Sequence, residues 1–568
     1  MTRLFNEPSA FADELTEGFV AAYPHHVRQV PGGVIRSAKP EAGSVAVVIG
    51  GGSGHYPAFA GLVGQGLAHG AAMGNLFASP SAQQVYSVAK AADQGGGVVL
   101  SFGNYAGDVL HFGQAAERLN AEGIQTTILT VTDDIASASK DEIHKRRGIA
   151  GDLTVFKILG AAADAGYSYE DVVRVAGHAN DRTRSFGVAF AGCTLPGAKE
   201  PLFTVPAGKM SLGLGIHGEP GISEQDIPTA DELAELFVAK LLADVPEGKG
   251  NRVAVLLNGL GTVKYEELFV VYRRVHQLLA EQGLEIVDPE VGELCTSLDM
   301  AGASLTLFWL DDELEKLWTD PVDAPAFRKG VVKAAEQLSE SEIQVEDVHA
   351  IPEATEVSRD AAERVLAALQ VTGKTIIDNA EELGRIDAVA GDGDHGIGME
   401  RGVRAALDAA QKALDGGAGA GTLLRHAADA WADRAGGTSG ALWGVALGAL
   451  SETFGDTDRV SASDVAAGIT AAKDSVMHLG KANVGDKTMV DVLVPFASEL
   501  SDRVAAGAPL REAWAGAATA AQEAADATAD LVPKMGRARP LAEKSMGTPD
   551  AGATSLAMIV NAVATILA

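Results

Sequence analysis

The chain has 568 residues, 47% of them hydrophobic, and a formal net charge of −31. Such apolar content excludes a disordered chain, and such acidity excludes nucleic acid as an expected partner. The two cysteines, Cys193 and Cys295, have the spacing of neither a zinc site nor a disulfide framework.

The first residues carry no apolar leader. The apolar tail at 553–568 is short for a membrane span and is interrupted by Asn561. A cytoplasmic enzyme without a membrane partner is expected.

Strand-like runs occupy residues 44–49 (SVAVVI), 98–101 (VVLS), 127–131 (TILTV) and 253–257 (VAVLL), with helix-compatible stretches between several of them. This alternation predicts an α/β domain over residues 1–335, with its chemistry on loops at strand ends. Residues 336–357 read as a linker, being acidic and containing Pro352. From residue 358 onward Ala, Leu, Glu and Asp dominate, as in 361–369 (AAERVLAAL). Residues 358–568 are therefore expected to be all-α, with about seven or eight helices.

Three glycine-rich segments of the first domain carry titratable groups. Residues 50–55 (GGGSGH) follow a predicted strand and place His55 at a loop mouth. Residues 102–108 (FGNYAGD) also follow a strand; Asp108 suits a proton acceptor or a helix N-cap. Residues 213–221 (GLGIHGEPG) hold His217 on a loop. Most lone histidines are structural, but a neutral imidazole can also add to a carbonyl carbon.

In the second domain, Asp387, Asp392 and Asp394 lie within eight residues (387–394), interleaved with glycine. Clustered carboxylates repel one another unless a hard cation neutralises them. An EF-hand is excluded, because its fifth and twelfth positions would be Gly396 and Val403. Residues 436–440 (GGTSG) precede a helical pattern and suit phosphate. Residues 485–489, 535–537 and 550–555 add possible nucleotide contacts, each weak alone. Residues 373–375 (GKT) are not a Walker motif, because Ala368 stands where its first glycine belongs.

Taken in order, these motifs resemble the dihydroxyacetone kinase family in its single-chain, ATP-dependent form. The resemblance covers a sugar domain from about residue 4 to 335 and a nucleotide domain from about 358 onward. It implies that His217 forms a hemiaminal with a ketone and that His55 and Asp108 act as acid/base groups. Gly52, Ser53 and Gly54 would line the sugar site. Asp387, Asp392 and Asp394 would hold two Mg²⁺ ions. His395, Gly396, Ile397, Gly398, Thr438, Ser439, Gly480, Met489, Arg537, Asp550, Ala551 and Gly552 would contact ATP in a helical barrel. A homodimer is implied as well.

Relatives specific for dihydroxyacetone usually carry Glu and His where this chain has Tyr56 and Phe59, and often Lys at the position of Gly103. Either these positions face away from the sugar and report only packing, or they mark a larger site and a four-carbon ketose, erythrulose, phosphorylated on a terminal hydroxyl to a product of the erythrulose 4-phosphate type. Dihydroxyacetone remains the other candidate. The resemblance also admits an FAD-splitting cyclase activity, a non-catalytic sugar sensor, or a phosphohistidine carrier in place of ATP. The last usually has its two domains on separate chains, whereas here they are fused.

Overall fold

The computed structural model describes residues 2–567 apart from 220, 340–341, 344–349, 390, 392 and 536–541. The chain divides into two compact units, 1–346 and 347–568.

The first unit contains two sheets. The strands of the first are β1 (Val27–Val30), β2 (Gly33–Arg36), β3 (Ala46–Ser53), β4 (Gly70–Leu76), β5 (Val98–Gly103) and β6 (Thr126–Val131), in the order β1-β2-β4-β3-β5-β6. Strands β4, β3, β5 and β6 are parallel. All eight residues of β3 are buried, which is why its sequence is continuously apolar and not alternating. The helices here are α1 (Phe11–Ala22), α2 (Ala82–Ala92), α3 (Ala106–Ala121), α4 (Asp152–Asp164) and α5 (Tyr169–Asp181). Because β3 pairs with β4 on one side and β5 on the other, the chain reverses its direction of progress at β3. Ligands of open α/β sheets bind at the carboxyl ends of strands at such a point. Both GGGSGH and FGNYAGD leave from there.

The second sheet comprises β7 (Thr183–Ala191), β8 (Lys209–Leu212), β9 (Ser223–Asp226), β10 (Arg252–Gly259), β11 (Glu285–Ile286), β12 (Glu290–Gly292) and β13 (Ala301–Leu310). Its order is β11-β10-β13-β7-β8-β9, with β12 also on β10. Helices α6 (Ala230–Leu242), α7 (Tyr265–Glu281) and α8 (Asp312–Thr319) complete the unit. The β8–β9 hairpin carries the loop that contains His217. Part of the stretch read as a linker is pinned to this unit: the Leu338 N–H donates to Ser37 O at 2.9 Å, and its side chain is buried.

The second unit is helical. Its elements are α9 (Glu356–Asp387), α10 (His395–Asp415), α11 (Ala420–Ala435), α12 (Gly437–Phe454), α13 (Ala462–Gly480), α14 (Val490–Ala505), α15 (Leu510–Ala527), the short α16 (Ala542–Ser545) and α17 (Ala551–Ala564). Each long helix packs on its neighbours in sequence, and α17 packs back on α9. The chain thus runs up and down a closed barrel. Alternate connections, α9–α10, α11–α12, α13–α14 and α15–α17, therefore gather at one end. Every described segment expected to touch nucleotide lies at or beside one of these four connections. Among the described residues, no helix is long and apolar enough to cross a membrane.

Gly160 in α4 lies directly against the Leu67 backbone, with no room for a β-carbon. Gly160→Ala is expected to destabilise the first unit by about 1–3 kcal/mol, because neither the backbone of Leu67 nor that of α4 can yield freely. Urea unfolding followed by the fluorescence of Trp309 and Trp318, both buried in this unit, measures the loss.

Candidate active site

His55 leaves the end of β3 through Gly54, whose φ of +107° a side chain would disfavour. Its imidazole is 1% exposed and stacks on Phe77, with ring centroids 4.9 Å apart. Nδ1 lies 2.8 Å from the Thr296 carbonyl oxygen, so Nδ1 carries the proton and donates. Nε2 is left as an acceptor. Burial, joined by the neighbouring His217, pushes the His55 pKa down to about 3, so the ring is neutral.

Nε2 of His217 stands 3.0 Å from Nε2 of His55. A ring nitrogen of each sheet's loop thus faces the other, and only one of the two can hold a proton along this line. On the far side of the ring, Nδ1 of His217 is 3.1 Å from Oε1 of Glu219, while its backbone N–H donates to Oε2 at 3.1 Å. Burial works to raise the Glu219 carboxyl, but His217 and Arg147 outweigh it and hold the group well below the usual carboxylate range. Arg147 in turn donates to Asp134 Oδ2 at 2.8 Å through Nη2 and 3.1 Å through Nε. The sequence keeps this chain compact: the Glu219 carboxylate occupies the space a β-carbon on Gly215 would need.

Asp108 sits in the first turn of α3 and is 7% exposed. Among the described residues its Oδ1 has no hydrogen-bond partner. Burial raises its pKa to about 7, against the opposing Ser79 hydroxyl and His217. The displacement is worth roughly 4 kcal/mol against the ionised form, so burial outweighs a hydrogen bond and a neighbouring ring together. Tyr105 completes the enclosure, its ring set edge-on to His217 at 4.6 Å and 86°.

The structure brings His55, Asp108 and His217 together, with Gly52, Ser53 and Gly54 beside them. The Ser53 hydroxyl donates to Gly74 O at 2.6 Å and so serves the sheet. Two sequence expectations are corrected. Tyr56 and Phe59 do not line the space around His217. They line a cleft of about 350 Å³ with Phe11, Leu15 and Phe19 of α1, on which Gly52, Ser53 and Gly54 also border. Gly103 does not open a void either: a β-carbon there would already stand 3.2 Å from Asp152 Oδ2. Glu219, Arg147, Asp134 and Asp152 were not singled out by sequence reasoning; Glu219 alone lies inside a recognised motif.

In the helical unit, Asp387 Oδ2 accepts from Gly393 N at 2.9 Å and from His395 N at 3.4 Å. His395 is buried, with Nε2 3.1 Å from the Ser555 hydroxyl. Burial, then Asp387, raises the Asp394 carboxyl. Burial also raises Asp550 to about 6, with Asp491 and Asp387 adding to the effect. Asp550 caps α17 by accepting from Ala553 N at 2.7 Å. Carboxyl groups gathered around Asp387 in this way fit a divalent cation, which Asp387 and Asp394 would hold. No trio of His, Cys, Asp or Glu stands ready at metal-ligand geometry among the described residues. Asp392 and Arg537 lie outside the described residues.

Gly396, Ile397 and Gly398 form the first turn of α10, and Thr438 and Ser439 the first turn of α12. Gly480 ends α13, Met489 precedes α14, and Ala551 and Gly552 begin α17. Met489 and Gly552 are close neighbours: a β-carbon on Gly552 would lie 3.6 Å from that of Met489. Helix N-termini grouped in this way offer unpaired N–H groups to phosphate.

Residues 17–326 match the Dak1 domain and residues 389–565 the DAK2 domain. The chain belongs to the dihydroxyacetone kinase family. It is 66% identical to the L-erythrulose kinase of Pectobacterium atrosepticum, over 100% of this chain and 97% of that one. It is 55% identical to the D-erythrulose kinase of Mycolicibacterium smegmatis, over 99% of this chain and 98% of that one. The crystal structure of the dihydroxyacetone kinase of C. freundii with AMP-PNP and Mg²⁺ covers 99% of both chains, at 30% identity and a TM-score of 0.53.

If Asp108 is the base, kcat/KM for the ketose should rise with pH through about 7, because only the ionised carboxylate accepts a proton. Asp108→Asn should lose roughly 10²–10⁴-fold in rate and remove this acid limb. A pH profile of ADP release checks both outcomes.

Proposed function

We propose that this protein is an ATP-dependent kinase of a short ketose and that erythrulose is its preferred substrate. The observation that carries the reading is the facing pair His55 and His217, with an unpartnered Asp108 oxygen beside it. A phosphotransferase that needed only a hydroxyl would have no use for a nucleophilic imidazole backed by a carboxylate. A ketone gives that imidazole a carbon to attack. The relatives named as erythrulose kinases support the four-carbon substrate, one for each enantiomer.

Binding begins with His217 carrying protons on both ring nitrogens. The Nε2 proton passes to Nε2 of His55 and on to the ketone oxygen as the Nε2–carbon bond forms. The carbonyl becomes a hydroxyl, and the positive charge stays on the His217 ring, over Glu219. Glu219 thereby fixes the ring's orientation and stabilises the bound adduct. The captured sugar presents its terminal hydroxyl to Asp108. Asp108 takes the hydroxyl proton as that oxygen attacks the γ-phosphorus in line, and ADP leaves.

The helical unit supplies the nucleotide. His395, Met489 and Asp550, with the N-termini of α10, α12 and α17, would hold ATP. Asp387 and Asp394 would hold Mg²⁺, which when bound neutralises phosphate charge. The C. freundii structure with AMP-PNP and Mg²⁺ supports this part of the reading. Two ions, with Asp392 and Arg537 completing the set, and a homodimer are parts of the same proposal and follow from the family resemblance.

The test is kcat/KM for D-erythrulose, L-erythrulose and dihydroxyacetone in a coupled ADP-release assay. One erythrulose enantiomer is expected to exceed dihydroxyacetone by at least about tenfold, the size of one well-placed hydrogen bond to a substrate hydroxyl. A preference for dihydroxyacetone over both enantiomers contradicts the substrate, and no ADP release with any of the three contradicts the kinase.

A further inference from the structure

The stretch between β12 and β13 runs past both histidine loops and is bonded to each of them. On the His55 side, the Leu298 N–H donates to Gly54 O at 2.9 Å and the Thr296 N–H to His55 O at 3.1 Å. The Thr296 hydroxyl donates to Tyr56 O at 2.8 Å, and the Thr296 carbonyl accepts from His55 Nδ1. On the His217 side, the next residue, Ser297, is wholly buried, and its hydroxyl donates to Ile216 O at 2.5 Å. Two consecutive residues thus reach the backbones of two loops that come from different sheets.

Asn258, the last residue but one of β10, anchors this stretch. It too is wholly buried. Its Oδ1 accepts from Leu294 N at 2.8 Å and from Cys295 N at 3.0 Å. Its Nδ2 donates to Cys295 O at 2.8 Å and to the Ser304 hydroxyl at 3.2 Å. Every donor and acceptor of the amide is thereby used. At the other end of the stretch, Leu298 is held at φ +48°, a conformation that a bulky side chain rarely adopts. Such a residue persists only where its surroundings over-determine it, and strained backbone of this kind gathers at functional sites.

We propose that Asn258, Thr296 and Ser297 are positioning residues for ketone capture, and that through the 294–298 stretch they set the separation of the Nε2 atoms of His55 and His217. The inference rests on the capture of a ketone by His217 proposed above. Passing a proton from His217 to His55 needs a short line between the two Nε2 atoms, and a misplacement of about 1 Å can cost about 10²-fold. Asp108 stands on α3, outside this set of bonds, so capture suffers before phosphoryl transfer does.

Thr296→Val removes one hydroxyl and keeps the branched shape, Ser297→Ala removes the other, and Asn258→Ala releases the anchor. In each, KM for the preferred ketose is expected to rise by at least about tenfold, with kcat and the KM for ATP changing far less. A loss of folded protein alone would lower kcat and leave KM where it was. In ¹⁵N-histidine-labelled protein without substrate, the proton between the two Nε2 atoms should give a downfield imidazole N–H signal, assigned by its loss in His217→Ala. The signal should fade in the three variants as the rings separate and water exchanges the proton. An unmoved ketose KM, an undiminished signal, or no such signal in the wild type overturns the inference. If Asn258→Ala does not fold, the two hydroxyl variants decide. Where the wild type is active and the variants match it, this inference fails and the proposed function stands. Where the wild type phosphorylates no ketose, the proposed function fails and the signal alone judges the positioning.

Discussion

Two imidazole nitrogens 3.0 Å apart, one on His55 and one on His217, set the terms for the rest of the first unit. Each ring comes from a different sheet, His55 from the end of β3 and His217 from the β8–β9 hairpin. Two lone pairs pointed at each other repel, so a proton must lie between them, and the surroundings decide whose it is. The Thr296 carbonyl fixes the tautomer of His55 and makes its Nε2 the acceptor. Glu219 takes the opposite edge of His217, and Arg147 and Asp134 hold Glu219 in place. The Ser297 hydroxyl donates to the Ile216 carbonyl at 2.5 Å and ties down the backbone just before His217. Every one of these partners makes sense as a device to keep one nitrogen nucleophilic and the next one basic.

The two units solve different problems with different physics. The sugar unit uses enclosure. Desolvation is the first cause of the displaced protonation of His55 and Asp108: it keeps the imidazole neutral and brings the carboxyl to titrate near neutral pH. The helical unit uses topology. A closed up-and-down barrel has alternate loops at one end, so separate glycine-rich breaks in the sequence become one cluster of helix N-termini. Burial raises the pKa of Asp394 and Asp550, and the Asp387 carboxylate adds to both. A phosphate chain with its counter-ion answers both features at once.

Much of this was legible in the sequence, for identifiable reasons. Strands β3, β5 and β10 are buried on both faces and therefore read as continuous apolar runs, whereas β1, β8 and β9 are short and partly exposed and gave no comparable signal. His55 and His217 stood out because each sits in a glycine-rich loop that follows a strand. Glu219, Arg147 and Asp134 did not, because a chain of partners spread over about 85 residues has no local spacing to detect. Asp152 reads locally as an acidic residue favouring a helix start, and only its burial without a partner sets it apart. Tyr56 and Phe59 misled for the opposite reason. They follow His55 closely in sequence, but the chain turns at Gly54 and carries them to the other side of the loop, where Phe59 packs against Gly51 and Phe156.

The central claim is that His217 holds the substrate by a covalent bond to its carbonyl carbon, and crystallography tests it most directly. Crystals of the full chain soaked with the preferred ketose should show continuous electron density from Nε2 of His217 to the substrate carbon, with that carbon tetrahedral and the His55 ring beside the new hydroxyl. A bound ketose with a planar carbonyl at van der Waals distance from His217 would contradict the account.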